Sequence, residues 1–110
     1  MFLIVAKYLI PKGYRGLTVF PFVLVKYRGD LKNRIFVNHE MIHIRQQIEL
    51  LIIPFFIWYL VEYLFRLIQY KNPNLAYRNI SFEREAYSKE SNLEYLTKRP
   101  FFNFINFLEL

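Results

Sequence analysis

A chain of 110 residues has room for one hydrophobic core and not two, which excludes a multidomain or insertion-rich enzyme. Its 55% hydrophobic content, with 12 Phe and 9 Tyr, gives a mean hydropathy of +0.12, greasy for a small soluble domain and well short of a multi-span membrane protein. Fifteen Lys and Arg against nine Asp and Glu leave a net charge of +6, which favours anionic partners, and the lack of cysteine excludes disulfide scaffolds and thiolate zinc fingers, so any metal must be held by His and carboxylate.

The N-terminal stretch MFLIVAKYLI is apolar but lacks a basic leader and a small-residue cleavage site, and it reads as a strand rather than a signal peptide. Residues 2–10 and 17–26 are rich in β-branched and aromatic side chains and are separated by PKGYRG, with its Pro and Gly turn chemistry. Two antiparallel strands are expected, with an edge or bulge at Pro21. A basic connection over 26–34 then leads to a helix with Asn38 as its expected N-cap.

From Phe36 to Gln69 no turn residue interrupts the pattern after Asn38, so helix is expected up to KNPN at 71–74, kinked or broken at Pro54. Within it, Leu50 to Val61 is an apolar run of about 18 Å at ~1.5 Å per residue. That is shorter than the ~20 residues that cross a bilayer; it fits a buried core helix or a membrane-interface helix, and its length favours the core. After KNPN, Ser81 is expected to cap a third helix carrying Glu83 and Glu85, and the apolar tail after Pro100 to pack back on the body. The expected fold class is α+β and mostly helical: a strand pair, the histidine helix, a kinked apolar helix and a third helix, in a single domain over 1–110.

The chain's two histidines, His39 and His43, stand four apart with Glu40 directly after the first. This H-E-x-x-H spacing sets two imidazoles on one helical face, where they can converge on one ion at ~2.0–2.1 Å, while the glutamate projects beside the metal and can accept a proton from water. By chance the motif falls in a chain of this size on the order of once in several hundred. A lone buried histidine is usually structural; a pair with an interposed glutamate gives each member a separate task.

Few carboxylates are available as a third ligand. Glu49 lies about 9 Å up the axis from His43 and about 240° round it, facing away. Glu62 needs a tight helical hairpin near residue 52 that only Pro54 supports, and Arg66 one turn later is a ready ion-pair partner for it. Glu83 is better placed, since KNPN allows a separate helix to return, and Ala86 leaves room for close helix approach.

H-E-x-x-H followed by the E-x-x-A of Glu83 and Ala86 resembles the gluzincin branch of the zincin-like metallopeptidases. NHEMIHIRQQIEL and AYRNISFEREAY resemble small bacterial zincin-like proteins, the resemblance running over roughly residues 14 to 100. It implies Zn2+ held by His39, His43 and Glu83, with Glu40 as general base and a peptide or protein substrate. It also implies an edge strand above the metal helix, to which substrate pairs by strand addition; LTVFPFVLVK is the candidate here, and it reads equally as an ordinary core strand. Where many gluzincins carry Asp one turn after the ligand glutamate, this chain has Tyr87, so either the partners of the ligand histidines differ or Glu85 takes part. Tyr77, Tyr87 and Arg84 are the candidate oxyanion donors, and Gln46 and Gln47, one turn beyond His43, could line a cleft, although as exposed helix polars they need no function.

The rival expectation is a non-catalytic membrane-surface or protein-interaction module with a structural or vestigial zinc, resting on Leu50 to Val61 and the flanking Arg45, Arg66 and Lys71. Nucleic-acid binding is not expected, because the basic residues are scattered and the aromatics do not alternate with them. Composition and the missing leader favour the cytoplasm or the inner membrane face.

Overall fold

The computed structural model describes residues 2–109. Strands β1 (Phe2–Val5), β2 (Gly16–Val19) and β3 (Phe22–Val25) form a sheet in the order β1-β3-β2. The segment expected as one strand is therefore a hairpin. Pro21 supplies no N–H and sits with Phe20 in the turn, where pairing must reverse. The return limb β3 inserts between the other two, so β1 pairs with it in parallel from Phe2↔Phe22 to Val5↔Val25, and the expected antiparallel contact between the two segments is absent. Both β1 and β2 are edges.

Helix α1 (Arg34–Glu49) is capped by Asn33, whose side chain accepts from Phe36 N at 3.1 Å. Asn38, the expected cap, is instead buried within the helix. Its amide donates to the carbonyls of Glu90 at 2.8 Å and Asn92 at 3.0 Å, satisfying groups just past the end of a later helix. Phe36 and Ile44 of α1 pack on Val23 and Val25 of the sheet.

The break comes at residues 50–52, and α2 (Ile53–Tyr70) leaves α1 at 112°. Leu51 and Ile52 take φ of 61° and 63°, and Ile53 N donates to Leu51 O at 2.7 Å, a γ-turn of positive φ centred on a β-branched residue. Pro54 falls in the first turn of α2, where its missing N–H costs nothing. Asn72 caps the short α3 (Pro73–Arg78), which reverses the chain, and α4 (Ser81–Lys89) and α5 (Tyr95–Lys98) follow. Ser81 is the first residue of α4 and not its cap. The carboxylate of Glu62 reaches across from α2 to accept both Ser81 N and Ser81 Oγ. The tail does fold back, with Phe104 buried against Phe82 and Trp58.

Helix α2 overturns the expectation of a buried apolar run. It buries only Phe55, Glu62 and Arg66, while Ile57, Leu60, Val61, Leu64 and Ile68 are exposed. No single helix among the described residues is long and apolar enough to cross a membrane.

Candidate metal centre

Helix α1 buries polar side chains along a second face: His39, His43 and Gln46 follow at i, i+4 and i+7 and meet α4, which presents Glu83 from its first turn. His39 Nε2, His43 Nε2 and Glu83 Oε1 form a triangle with edges of 3.2, 3.2 and 3.0 Å. Donors bound at ~2.0–2.1 Å around a tetrahedral ion would stand about 3.3 Å apart. The three residues, all buried, are a group that could hold a metal ion.

The tautomer of His43 can be derived. Gln46 Nε2 donates to Phe82 O at 3.1 Å and to Glu85 Oε1 at 3.0 Å, both acceptors, so its amide oxygen is the atom 2.8 Å from His43 Nδ1. An acceptor there requires Nδ1 to carry hydrogen, which turns the Nε2 lone pair toward Glu83 and His39. The His43 lone pair and the Glu83 carboxylate oxygen face each other in a buried triangle with His39 Nε2, an arrangement that can share a cation. Burial disfavours the charged His43, but the Glu83 carboxylate outweighs it and lifts the imidazole to about 9. Burial likewise penalises a charged Glu83, and the facing His43 and His39 more than reverse this, holding its carboxyl well below the usual range. In the absence of metal a proton fills the role.

Glu40 points into the cleft beside the triangle, where Thr18 Oγ1 of β2 donates to its carboxylate. Gly16 lets the strand pass this close: a Cβ there would lie 2.9 Å from Phe36 Cζ and 3.0 Å from Glu40 Oε1. The second oxygen of Glu83 accepts from Tyr59 at 2.8 Å, so the carboxylate is held at both ends.

Tyr87 lies against His39, ring centroids 4.4 Å apart, but its hydroxyl meets Tyr77 at 3.3 Å and does not support the imidazole. For His43 that task falls to Gln46, while His39 Nδ1 lies 3.5 Å from the Glu90 carboxylate, at ion-pair range and without a hydrogen bond. Glu85 takes part at one remove, through Gln46, and is itself locked to Arg99 and Tyr95. Arg84 belongs to another region, donating to Asn79 and to the carbonyls of Phe107 and Glu109. Glu49 faces away, as its helical position predicts, and binds Arg99 and Phe102 N. Glu62 is spent on the start of α4, and its expected partner Arg66 donates to Gln69 and Glu109 O.

The cleft has two unlike halves that share Tyr14, Gly16, Glu40 and Tyr77. One, of about 620 Å³, is polar and cationic, with Lys12, Arg15 and Arg78 among its walls. The other, of about 460 Å³, is lined by Leu17, Phe55, Phe56, Leu60 and Tyr63. Burial and the Glu83 charge push the Tyr77 phenol up, so it stays a hydrogen-bond donor at the junction of the halves.

Sequence reasoning took Gln46 and Gln47 for exposed polars, whereas both are buried, and it missed Glu90, Thr18 and Tyr59. Only Gln46 left a signal, at i+3 from His43 on the face that carries both histidines. Comparison with protein-family models, curated proteins and solved structures finds no match for this chain.

Proposed function

We propose that the protein is a small zinc-dependent peptidase of the gluzincin type. The observation that carries this reading is the buried triangle of His39, His43 and Glu83, in which Gln46 fixes the His43 tautomer, with Glu40 beside it rather than in it. Hard cations favour all-oxygen sites, whereas two imidazoles and one carboxylate at tetrahedral spacing suit zinc. Structural zinc sites are closed by four protein ligands; three ligands opening on a cleft are the catalytic pattern. When bound, zinc supplies a Lewis acid that polarises water and a peptide carbonyl.

The chain's own residues do the rest. Glu40, oriented by Thr18, accepts the proton from the attacking water and returns it to the leaving amine. Tyr77 and Tyr87 are the donors at hand for the developing oxyanion, and of these Tyr77 lines both halves of the cleft. An extended peptide adds along the free edge of β2 near Gly16. Farther on, Gln47 already holds Thr18 O and Phe20 N at 2.7 Å each, which limits the length of strand addition. The two halves of the cleft favour a substrate with a bulky apolar side chain on one side of the scissile bond and a polar or acidic one on the other.

The test is hydrolysis of a quenched fluorescent peptide library by the zinc-loaded protein. Turnover in wild type, abolished in Glu40→Gln while zinc is retained, is the expected result. Equal turnover in both proteins, or none in either with zinc in place, overturns the peptidase reading in favour of a structural zinc.

A further inference from the structure

Helix α2 is inside out. Its two charged residues, Glu62 and Arg66, are 8% and 1% exposed, while the solvent side is apolar from Leu51 to Ile68. A surface helix of a water-soluble domain has the opposite pattern, with its apolar stripe inward and its charges outward. Charges turned in and apolar side chains turned out is the arrangement of a helix whose surroundings are less polar than its own protein.

The width of the exposed surface selects the surroundings. At ~100° per residue, the exposed apolar side chains from Phe56 through Leu60, Ile57 and Val61 to Trp58 sweep roughly 200° of the circumference, and exposed apolar side chains continue from Ile53 to Ile68 over about 23 Å of helix. A partner helix or a second copy of the chain seats on a stripe of roughly 100°. Lipid wraps what a single protein surface cannot. The apolar surface also continues past the helix into a cavity shared by Pro54, Ile57, Trp58, Val61, Phe65 and Leu108. The net charge of +6, with exposed Lys71 at the C-terminal end of α2, complements anionic headgroups.

We infer that the outward face of α2 docks on a phospholipid bilayer, lying in the interface with its apolar side chains among the upper acyl chains and without crossing the membrane. This inference stands apart from the peptidase reading. Joined to it, the inference places the apolar half of the cleft, whose wall includes Phe56 and Leu60 on the edge of the same face, at the membrane surface, where peptide segments emerging from lipid would be met.

Trp58, the chain's one tryptophan, lies on this face and is a built-in reporter. The 110-residue protein is mixed with phosphatidylcholine and with mixed phosphatidylcholine–phosphatidylglycerol vesicles. The expected results are co-sedimentation, stronger with the anionic mixture, a blue shift of Trp58 emission, and quenching by brominated acyl chains. The double variant Ile57→Lys/Leu64→Lys, at positions outside the metal cleft, is expected to lose at least tenfold in vesicle binding while keeping its far-ultraviolet dichroism and metal content. Wild-type Trp58 emission unmoved by either vesicle overturns the inference. So does a wild-type dimer that Ile57→Lys/Leu64→Lys dissociates with no lipid binding in either form, since the face would then join two copies; the wild-type measurements decide even if the variant fails to fold.

Discussion

Gln46 shows how a residue with no chemistry of its own can shape a candidate metal centre. Its two donors are taken by Phe82 O and Glu85, so its oxygen has one place to go, and that fixes the hydrogen on His43 Nδ1. Replacing it with Leu keeps the bulk and removes the constraint. Gln46→Leu is expected to weaken zinc binding by about 10- to 100-fold, read by competition with a chromophoric chelator. The raised His43 pKa has a sign that can be checked as well. A folded pKa of about 9 against 6.5 means the protonated pair stabilises the metal-free protein below about 6.5, and this support is lost as pH rises through 9. Zinc needs the neutral imidazole, so apparent affinity should climb with pH, by up to about tenfold per unit, between 7 and 9 and then level off. Affinity flat over that range would contradict the account. The paired histidines of the candidate centre were legible in the sequence because H-E-x-x-H is a local spacing on one helix. Glu90, Thr18 and Tyr59 were not, since each reaches the site from an element whose approach depends on tertiary packing.

Among the elements, the break between α1 and α2 was foreseen from Pro54 but misplaced in mechanism. The turn itself is made by Leu51 and Ile52 in positive-φ backbone that L residues adopt at a cost of about 1–2 kcal/mol each. No Gly or Asn marks it, which is why sequence reading found no turn. Leu51 is 77% exposed, so little packing offsets that cost. Leu51→Gly is therefore expected to stabilise the protein by up to about 1 kcal/mol in urea denaturation, and a loss of stability would show that the turn is not strained. The hairpin at Phe20–Pro21 was hidden for a related reason: a continuous apolar run gives no period by which to divide it. Beneath α4, Glu85 and Arg99 are buried together, with Glu49 on the far side of the guanidinium. Removing Glu85 leaves Arg99 with Glu49 alone and strips Gln46 and Tyr95 of a buried acceptor, so Glu85→Leu should cost about 1–3 kcal/mol by the same assay.

At the scale of the molecule, the fold class was read correctly as α+β and mostly helical, while the distribution of apolar surface was not. The length of Leu50 to Val61 favoured the core over a membrane interface, whereas most of that run is exposed. Yet a small chain that is 55% hydrophobic cannot bury everything it carries, and this one puts polar side chains in its interior. His39, Glu40, His43, Gln46, Gln47 and Glu83 occupy the contact between α1, β2 and α4, where a plain structural domain would place Leu and Ile. Desolvating so many polar groups disfavours folding unless each is paired, and here the pairing converges on one point. Metal bound at that point should raise the midpoint of thermal unfolding in proportion to the logarithm of free zinc, and chelation should lower it.

The central claim is that His39, His43 and Glu83, and neither Glu62 nor Glu49, hold one metal ion. Elemental analysis of purified protein after mild chelation and zinc readdition tests it most directly, with wild type beside Glu83→Gln and Glu62→Gln. About one zinc per chain in wild type and in Glu62→Gln, with loss in Glu83→Gln, is the predicted result. Folded wild type without zinc, or Glu83→Gln retaining it in full, would contradict the account.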